Sequence, residues 1–164
     1  MKKLILLLLA LAPLSVFAQK FGVVNQGDIV QAMPEYTQAQ TELQNESKTF
    51  DDELKRMQDE LQKKAEAFDK EQASLPDAIK TRRQNELQEM YQKIQQYAQD
   101  AQQQLQQSEQ TKLAGISDKM KKAIDEVGAA GGFTVIFLEG AMPYVSTTQC
   151  TDVTAQVKAK LGLK

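Results

Sequence analysis

The chain has 164 residues, enough for one domain of ordinary size, and it contains no His, no Trp and a single Cys. Without His it lacks the commonest general base and metal ligand, and one Cys cannot close a disulfide within the chain. Its formal charge is −2, and loss of Lys2 and Lys3 with a leader would leave 18 basic against 22 acidic residues. That acidic balance excludes the basic footprint of a general nucleic-acid binder.

Residues 1–18 read as a secretory signal peptide. Lys2 and Lys3 form a basic start, residues 4–14 are an apolar run, and Val16 and Ala18 precede the expected cut before Gln19. The apolar run is too short to span a bilayer comfortably. No Cys follows it closely, so an N-terminal lipid anchor is not expected. The mature chain would then meet an oxidising compartment, where Cys150 is expected to be a small apolar filler near the body.

The mature chain opens with a β-prone run, Phe21 to Val24, followed by a turn-like break at residues 25–28. From Glu35 to Val127 there is one Pro, Pro76, and one Gly, Gly115. Tyr36, Leu43, Phe50 and Met57 are spaced by seven, as are Leu54, Leu61, Phe68 and Leu75. Interleaved, they form a heptad seam, interrupted where Gln40, Ser47 and Lys64 take seam positions. A second seam runs through Leu87, Met90, Ile94, Tyr97, Ala101 and Leu105. It then shifts register and continues through Leu113, Ile116, Met120, Ile124 and Val127. The tract from Asn85 to Gln110 is dense in Gln, yet its apolar residues keep this spacing, which favours a helix over disorder.

Pro76 breaks the pattern and suits a first helical turn, with Ser74 as candidate N-cap and Asp77 at the positive helix end. Residues 35–127 therefore read as an antiparallel helical hairpin with its tip near 74–77. The segment from Gly128 to Gly132 reads as the exit from the long helix. Strands are expected at Phe133 to Glu139 and at Tyr144 to Thr148, with a turn at residues 140–143 between them. Thr151 and Asp152 are candidate caps for a last helix reaching Leu161, with Val153, Val157 and Leu161 on one face. The fold class is α+β. Residues 19–34 and 128–164 form a small β-rich body around the hairpin. Three strands and a short helix make a thin core for so long an insert, which predicts a homo-oligomer.

No catalytic set emerges. Asp51, Asp52 and Glu53 sit on successive helical positions and point apart, which is wrong for converging on a cation. Cys150 has no His to activate it. The glycines between 128 and 132 precede a strand and lack a phosphate-loop signature. Lys80, Arg82 and Arg83 form a small basic cluster beside the tip, a candidate contact with acidic surfaces or membrane headgroups, although a solvated charged face is the favoured reading.

The signal peptide, the opening "FGVVNQGDIVQAMPEY", the long heptad hairpin with "ELKRMQDELQKK", the strand "FTVIFLE" and the closing "TDVTAQVKAKLG" together resemble the Skp (OmpH-like) family of periplasmic chaperones over essentially the whole chain. The resemblance implies a jellyfish-like homotrimer. Its strands would form a shared body and its coiled-coil hairpins would hang as tentacles around a cavity. Such proteins hold unfolded outer-membrane β-barrel proteins without ATP or any cofactor. By position, Val23, Val24, Val135, Phe137 and Val145 would lie in the trimer body, while the arms would face the client. Candidate client contacts are Tyr91, Met90, Tyr97, Met57, Phe50 and Phe68. Tyr91, beside the seam, is the best of them; Phe50, Met57 and Phe68 are expected to pack mostly between the arms. Well-studied members are basic, whereas this chain is acidic with Gln-rich arms, so the resemblance by itself does not imply electrostatic capture or lipopolysaccharide binding here. A structural adaptor of the cell envelope is the rival reading from another class.

Overall fold

The computed structural model describes residues 19–163; the signal-peptide segment lies outside the described residues. Strand β1 (Phe21–Val24) leads into helix α1 (Gln26–Ala32) and then α2 (Pro34–Glu71). A single 3-10 turn (Gln72–Ser74) separates α2 from α3 (Asp77–Gly131). Strand β2 (Val135–Leu138), strand β3 (Cys150–Asp152) and helix α4 (Thr154–Lys160) complete the fold. β1 is central, with β2 and β3 parallel to it on either side. A parallel pair needs a long crossover, and here the two long helices form the connection between β1 and β2.

The break expected at residues 25–28 is instead the start of α1. The Asn25 side chain accepts a hydrogen bond from the Asp28 backbone N–H at 2.9 Å, an N-cap that turns the same polar residues into a helix entry. Pro34 then opens α2 at its first turn, where its missing N–H is harmless.

At the far end Leu75 is extended before Pro76, as the ring of a following Pro demands. Pro76 itself, not Ser74, stands at the N-cap of α3. Ser74 instead donates its hydroxyl to the Glu71 carbonyl at 2.9 Å and closes the end of the preceding helix. α3 continues through Gly128 and ends at Gly132, whose φ of 65° is a left-handed conformation that glycine adopts without penalty.

The connection after β2 departs from the expected second strand. Residues 144–148 form no ladder; Pro143 offers no N–H, and the Cys150 N–H turns back to the Ser146 carbonyl at 3.0 Å. The third strand is Cys150–Asp152, which crosses to the opposite edge of β1. Thr151 and Asp152 are thus strand residues, and Val153 holds the N-cap of α4. Asp152 still assists that turn, its carboxylate accepting the Thr154 N–H at 2.9 Å.

The core lies where the helices cover one side of the sheet. Val24, Ile29, Met33, Val153 and Val157 are buried almost completely, and Ala39, Ile116, Met120, Ala123 and Val127 join them from the lower parts of α2 and α3. Gly22 keeps this layer close. A Cβ there would stand 3.1 Å from Ile136 and 3.2 Å from Phe133, so these side chains would have to shift by a few tenths of an ångström.

Beyond this body, α2 and α3 pack on each other. Phe68 and Ile94 are the deeply buried points of this stretch, while Phe50, Leu54, Met57, Leu61, Leu87, Met90 and Leu105 are half-buried. Contacts pair successively earlier residues of α2 with successively later residues of α3: Glu71 with Arg83, Phe50 with Tyr97, Glu42 with Lys112 and Glu35 with Lys119. The register after Leu105 differs from the expected one. Ser108 and Lys112 take the inward positions, and Leu113 is 39% exposed. A half-buried Lys is tolerated in the seam because Glu42 and Glu46 flank it from α2.

Candidate functional site

Side chains alternate across a strand, so the buried Gly22 and Val24 leave Phe21 and Val23 on the opposite side of β1. The register Phe21 with Val135 and Val23 with Phe137 extends that side onto β2. The Phe21 and Phe137 rings stack with centroids 6.2 Å apart. The irregular segment after β2 folds along the edge, and together they line a hollow of about 320 Å³ bounded by Phe21, Phe137, Met142, Tyr144, Val145 and Cys150. Val135 is 40% exposed and Tyr144 81% exposed, so this apolar side of the sheet is open in the single chain.

Four of the five predicted oligomerisation residues, Val23, Val135, Phe137 and Val145, reach this surface. Val24 does not: it is fully buried in the chain's own core. Phe21, Met142 and Tyr144 complete the surface and were not anticipated as part of it. The period-two alternation through Phe21 and Val23 pointed to the first; the other two come from a loop, which carries no such signal. Cys150 is half-buried beside them as a free thiol, consistent with a small apolar filler at the edge of the body.

On the arms, Tyr91 is 57% exposed. Phe68 is buried between the helices, and Phe50 and Tyr97 meet edge to face at 6.4 Å, half-buried. Met57 and Met90 are also half-buried. Tyr91 is therefore the most accessible of the predicted client contacts and Phe68 the least. Around Phe50 and Tyr97 the small residues Ser47, Ala98 and Ala101 leave a hollow of about 200 Å³ in the seam.

Each member of the tip cluster has an acidic neighbour. Lys80 lies 3.4 Å from Asp77, Arg82 3.4 Å from Glu86 and Arg83 3.7 Å from Glu71. Their positive field is locally offset, which weakens any attraction to a distant anionic surface. Asp51 and Asp52 are exposed on α2, and among the described residues no three His, Cys, Asp or Glu side chains are arranged to hold a metal ion.

The base of the arms carries most of the ionic contacts between α2 and α3, Glu71 with Arg83 at the tip being the other. Lys112 donates to Glu42 at 2.5 Å and stands 3.6 Å from Glu46, while Lys119 donates to Glu35. These hydrogen bonds hold the Glu42 and Glu35 carboxyls below the ordinary carboxylate value and raise Lys112. Lys160 of α4 does the same to Glu126 of α3 at 2.7 Å. A carboxyl whose pKa is lower folded than unfolded stabilises the fold above its unfolded value and stops doing so as pH falls through the folded one. The urea midpoint is therefore expected to hold from neutral pH down to about 4.5 and to drop below it. Replacing Lys112 and Lys119 together by Met should flatten that acid limb; an unchanged slope in urea titrations would assign it to other groups. Exposed pairs of this kind contribute little each, so the expected effect is a modest slope.

The architecture defined so far is a small α+β body from which two long helices extend. A family model described as Outer membrane protein (OmpH-like) matches residues 20–161. The chain belongs to the OmpH-like family. The fold is similar to the crystal structure of a candidate outer membrane chaperone (OmpH-like) from Caulobacter crescentus CB15. The TM-score is 0.76 at 18% identity, over 87% of this chain and 83% of that one. A search of curated proteins gave no match.

Proposed function

We propose that this protein is an ATP-independent periplasmic holdase that binds unfolded outer-membrane β-barrel proteins between its helical arms and prevents their aggregation. The observation that carries this reading is the length of helix that the body does not need. α3 alone has 55 residues, about 80 Å, yet the core uses only its last third. Among the described residues the remainder packs against α2 and leaves a long surface exposed. Family membership and the related fold support a chaperone role. A barrel chain cannot fold in water because its lipid-facing residues are apolar, and many weak contacts along arms can retain it while each still lets go.

In the same reading residues 1–18 are removed on export. The body of residues 19–34 and 128–164 assembles as a homotrimer through the open side of the sheet, and residues 35–127 form antiparallel coiled-coil arms around a common cavity. The uncovered apolar surface of Phe21, Val135, Phe137 and Tyr144 supports the assembly, because a soluble single chain rarely leaves such a patch open. No helix among the described residues is long and apolar enough to cross a membrane.

The test is light scattering after dilution of an unfolded barrel protein from urea. A stoichiometric amount of the assembly should suppress aggregation, without ATP. Unchanged scattering would refute the holdase. A pull-down from envelope extract separates the adaptor reading, which requires one folded partner at fixed stoichiometry rather than many unfolded barrels.

A further inference from the structure

The two helices of the arm differ in what they show to solvent. α2 is laced with ion pairs along its outer surface, Lys55 with Asp59, Arg56 with Glu53 and Glu60, and Lys64 with Glu60. α3 has a contrasting flank. Starting at Tyr91 and stepping by three or four residues, as neighbours on a helix surface do, one meets Gln95, Gln99, Gln102, Gln106 and Gln110, all exposed, and ends at Leu113. Tyr91 and Leu113 are large apolar residues exposed on the arm, 57% and 39%. They bracket a row of amides that is uncharged from Tyr91 to Gln106; Glu109, exposed between Gln106 and Leu113, is the one charge on this flank. Midway, Gln102 also borders the 200 Å³ hollow left in the seam by Ala98 and Ala101.

We infer that this flank of α3 is the binding surface for one extended, strand-length segment of an unfolded barrel, held through its backbone rather than through charge. The inference rests on the holdase reading and specifies its contact. The row spans 22 residues of helix, about 33 Å at ~1.5 Å per residue. An extended chain covers that distance in about ten residues at ~3.3 Å each, the length of a single membrane-spanning β-strand.

The chemistry matches as well. A Gln amide both donates and accepts, as a peptide group does, so a row of them can pair with an unfolded backbone whatever its sequence. Each such bond is weak on net against water, so it can exchange. Tyr91, Leu113 and the hollow take apolar side chains at the ends and middle of the segment. The absence of exposed positive charge along the row disfavours an anionic lipid surface as the occupant.

The test uses the full mature chain and a fluorescent, neutral ten-residue peptide with alternating apolar and polar residues, read by anisotropy. Binding is expected to change less than about twofold when salt is raised tenfold, because no ion pair is formed. The triple variant Gln95→Glu, Gln102→Glu, Gln106→Glu should bind about tenfold more weakly, since the new charges must be desolvated beneath the peptide. The triple variant Lys55→Gln, Arg56→Gln, Lys64→Gln on α2 should remain within about twofold of the native chain, there being no charge-dependent contact to lose. Circular dichroism and solution mass confirm that each variant is folded and assembled. Steep salt dependence, or native affinity in the Gln variant, would overturn the inference. If scattering is still suppressed in that case, the holdase reading stands without it; if scattering is not suppressed, both fall.

Discussion

Val135→Asp is expected to convert the proposed homotrimer into single chains that remain folded. Val135 is 40% exposed in the isolated chain and lies beside Phe21 across the parallel register. An Asp there stays hydrated in the free chain, so folding is barely affected. Once covered by a neighbouring subunit, the same carboxylate is unpaired in an apolar contact, at a penalty of several kcal/mol. A symmetric assembly would repeat that penalty in every subunit. Sedimentation should show the mass of one chain, with a circular dichroism spectrum close to the native one. Val24→Asp provides the contrast. Val24 is fully buried within the chain, so the charge should abolish folding itself. A Val135→Asp protein that kept its assembled mass would show that this side of the sheet is not the subunit contact.

Ile29→Ala is expected to lower stability by about 2–5 kcal/mol, read as a shift of the urea midpoint at fixed protein concentration. Ile29 is fully buried where α1 meets the sheet and α4. The deletion leaves a void that so small a core has few residues to refill. Domain stabilities are commonly about 5–15 kcal/mol, so this loss is a large share. By contrast, Met57→Ala on the half-buried arm seam should be much milder, because its surroundings already include water. An Ile29 variant as stable as the native chain would place the stability of the protein in the arms or in the assembly rather than in the body.

The long elements were legible in the sequence because their signal repeats. Apolar residues every three or four positions over some ninety residues, without glycine or proline except at Gly115 and Pro76, can hardly specify anything but two helices and a break. The β-rich character of Phe21–Val24 and Val135–Leu138 was equally local, as was the helix exit at the glycines. Short polar stretches were less informative. Asn25 to Asp28 can form a turn or a helix cap with the same side chains, and what tips it to a cap is the packing of Ile29 behind it. Residues 144–148 have β-prone composition, yet β1 has no side left for them and they add to neither outer strand. β1 already pairs with β2 on one side and accepts Cys150–Asp152 on the other.

The register after Leu105 shows the limit most clearly. Leu113 is the better apolar residue, yet Lys112 turns inward because two glutamates on α2 receive it. Pairwise contact outweighed the one-dimensional pattern, and that turn sends Leu113 to the exposed flank that continues from Tyr91.

The sequence alone determined the helical arms, their break near Pro76 and the small body that flanks them, since each rests on a local or periodic preference. Only the tertiary structure decided which side of the sheet is left open, which apolar residues are spent in the chain's own core, and which flank of α3 faces solvent. Those outcomes depend on contacts between segments far apart in the chain, and no preference within a segment encodes them.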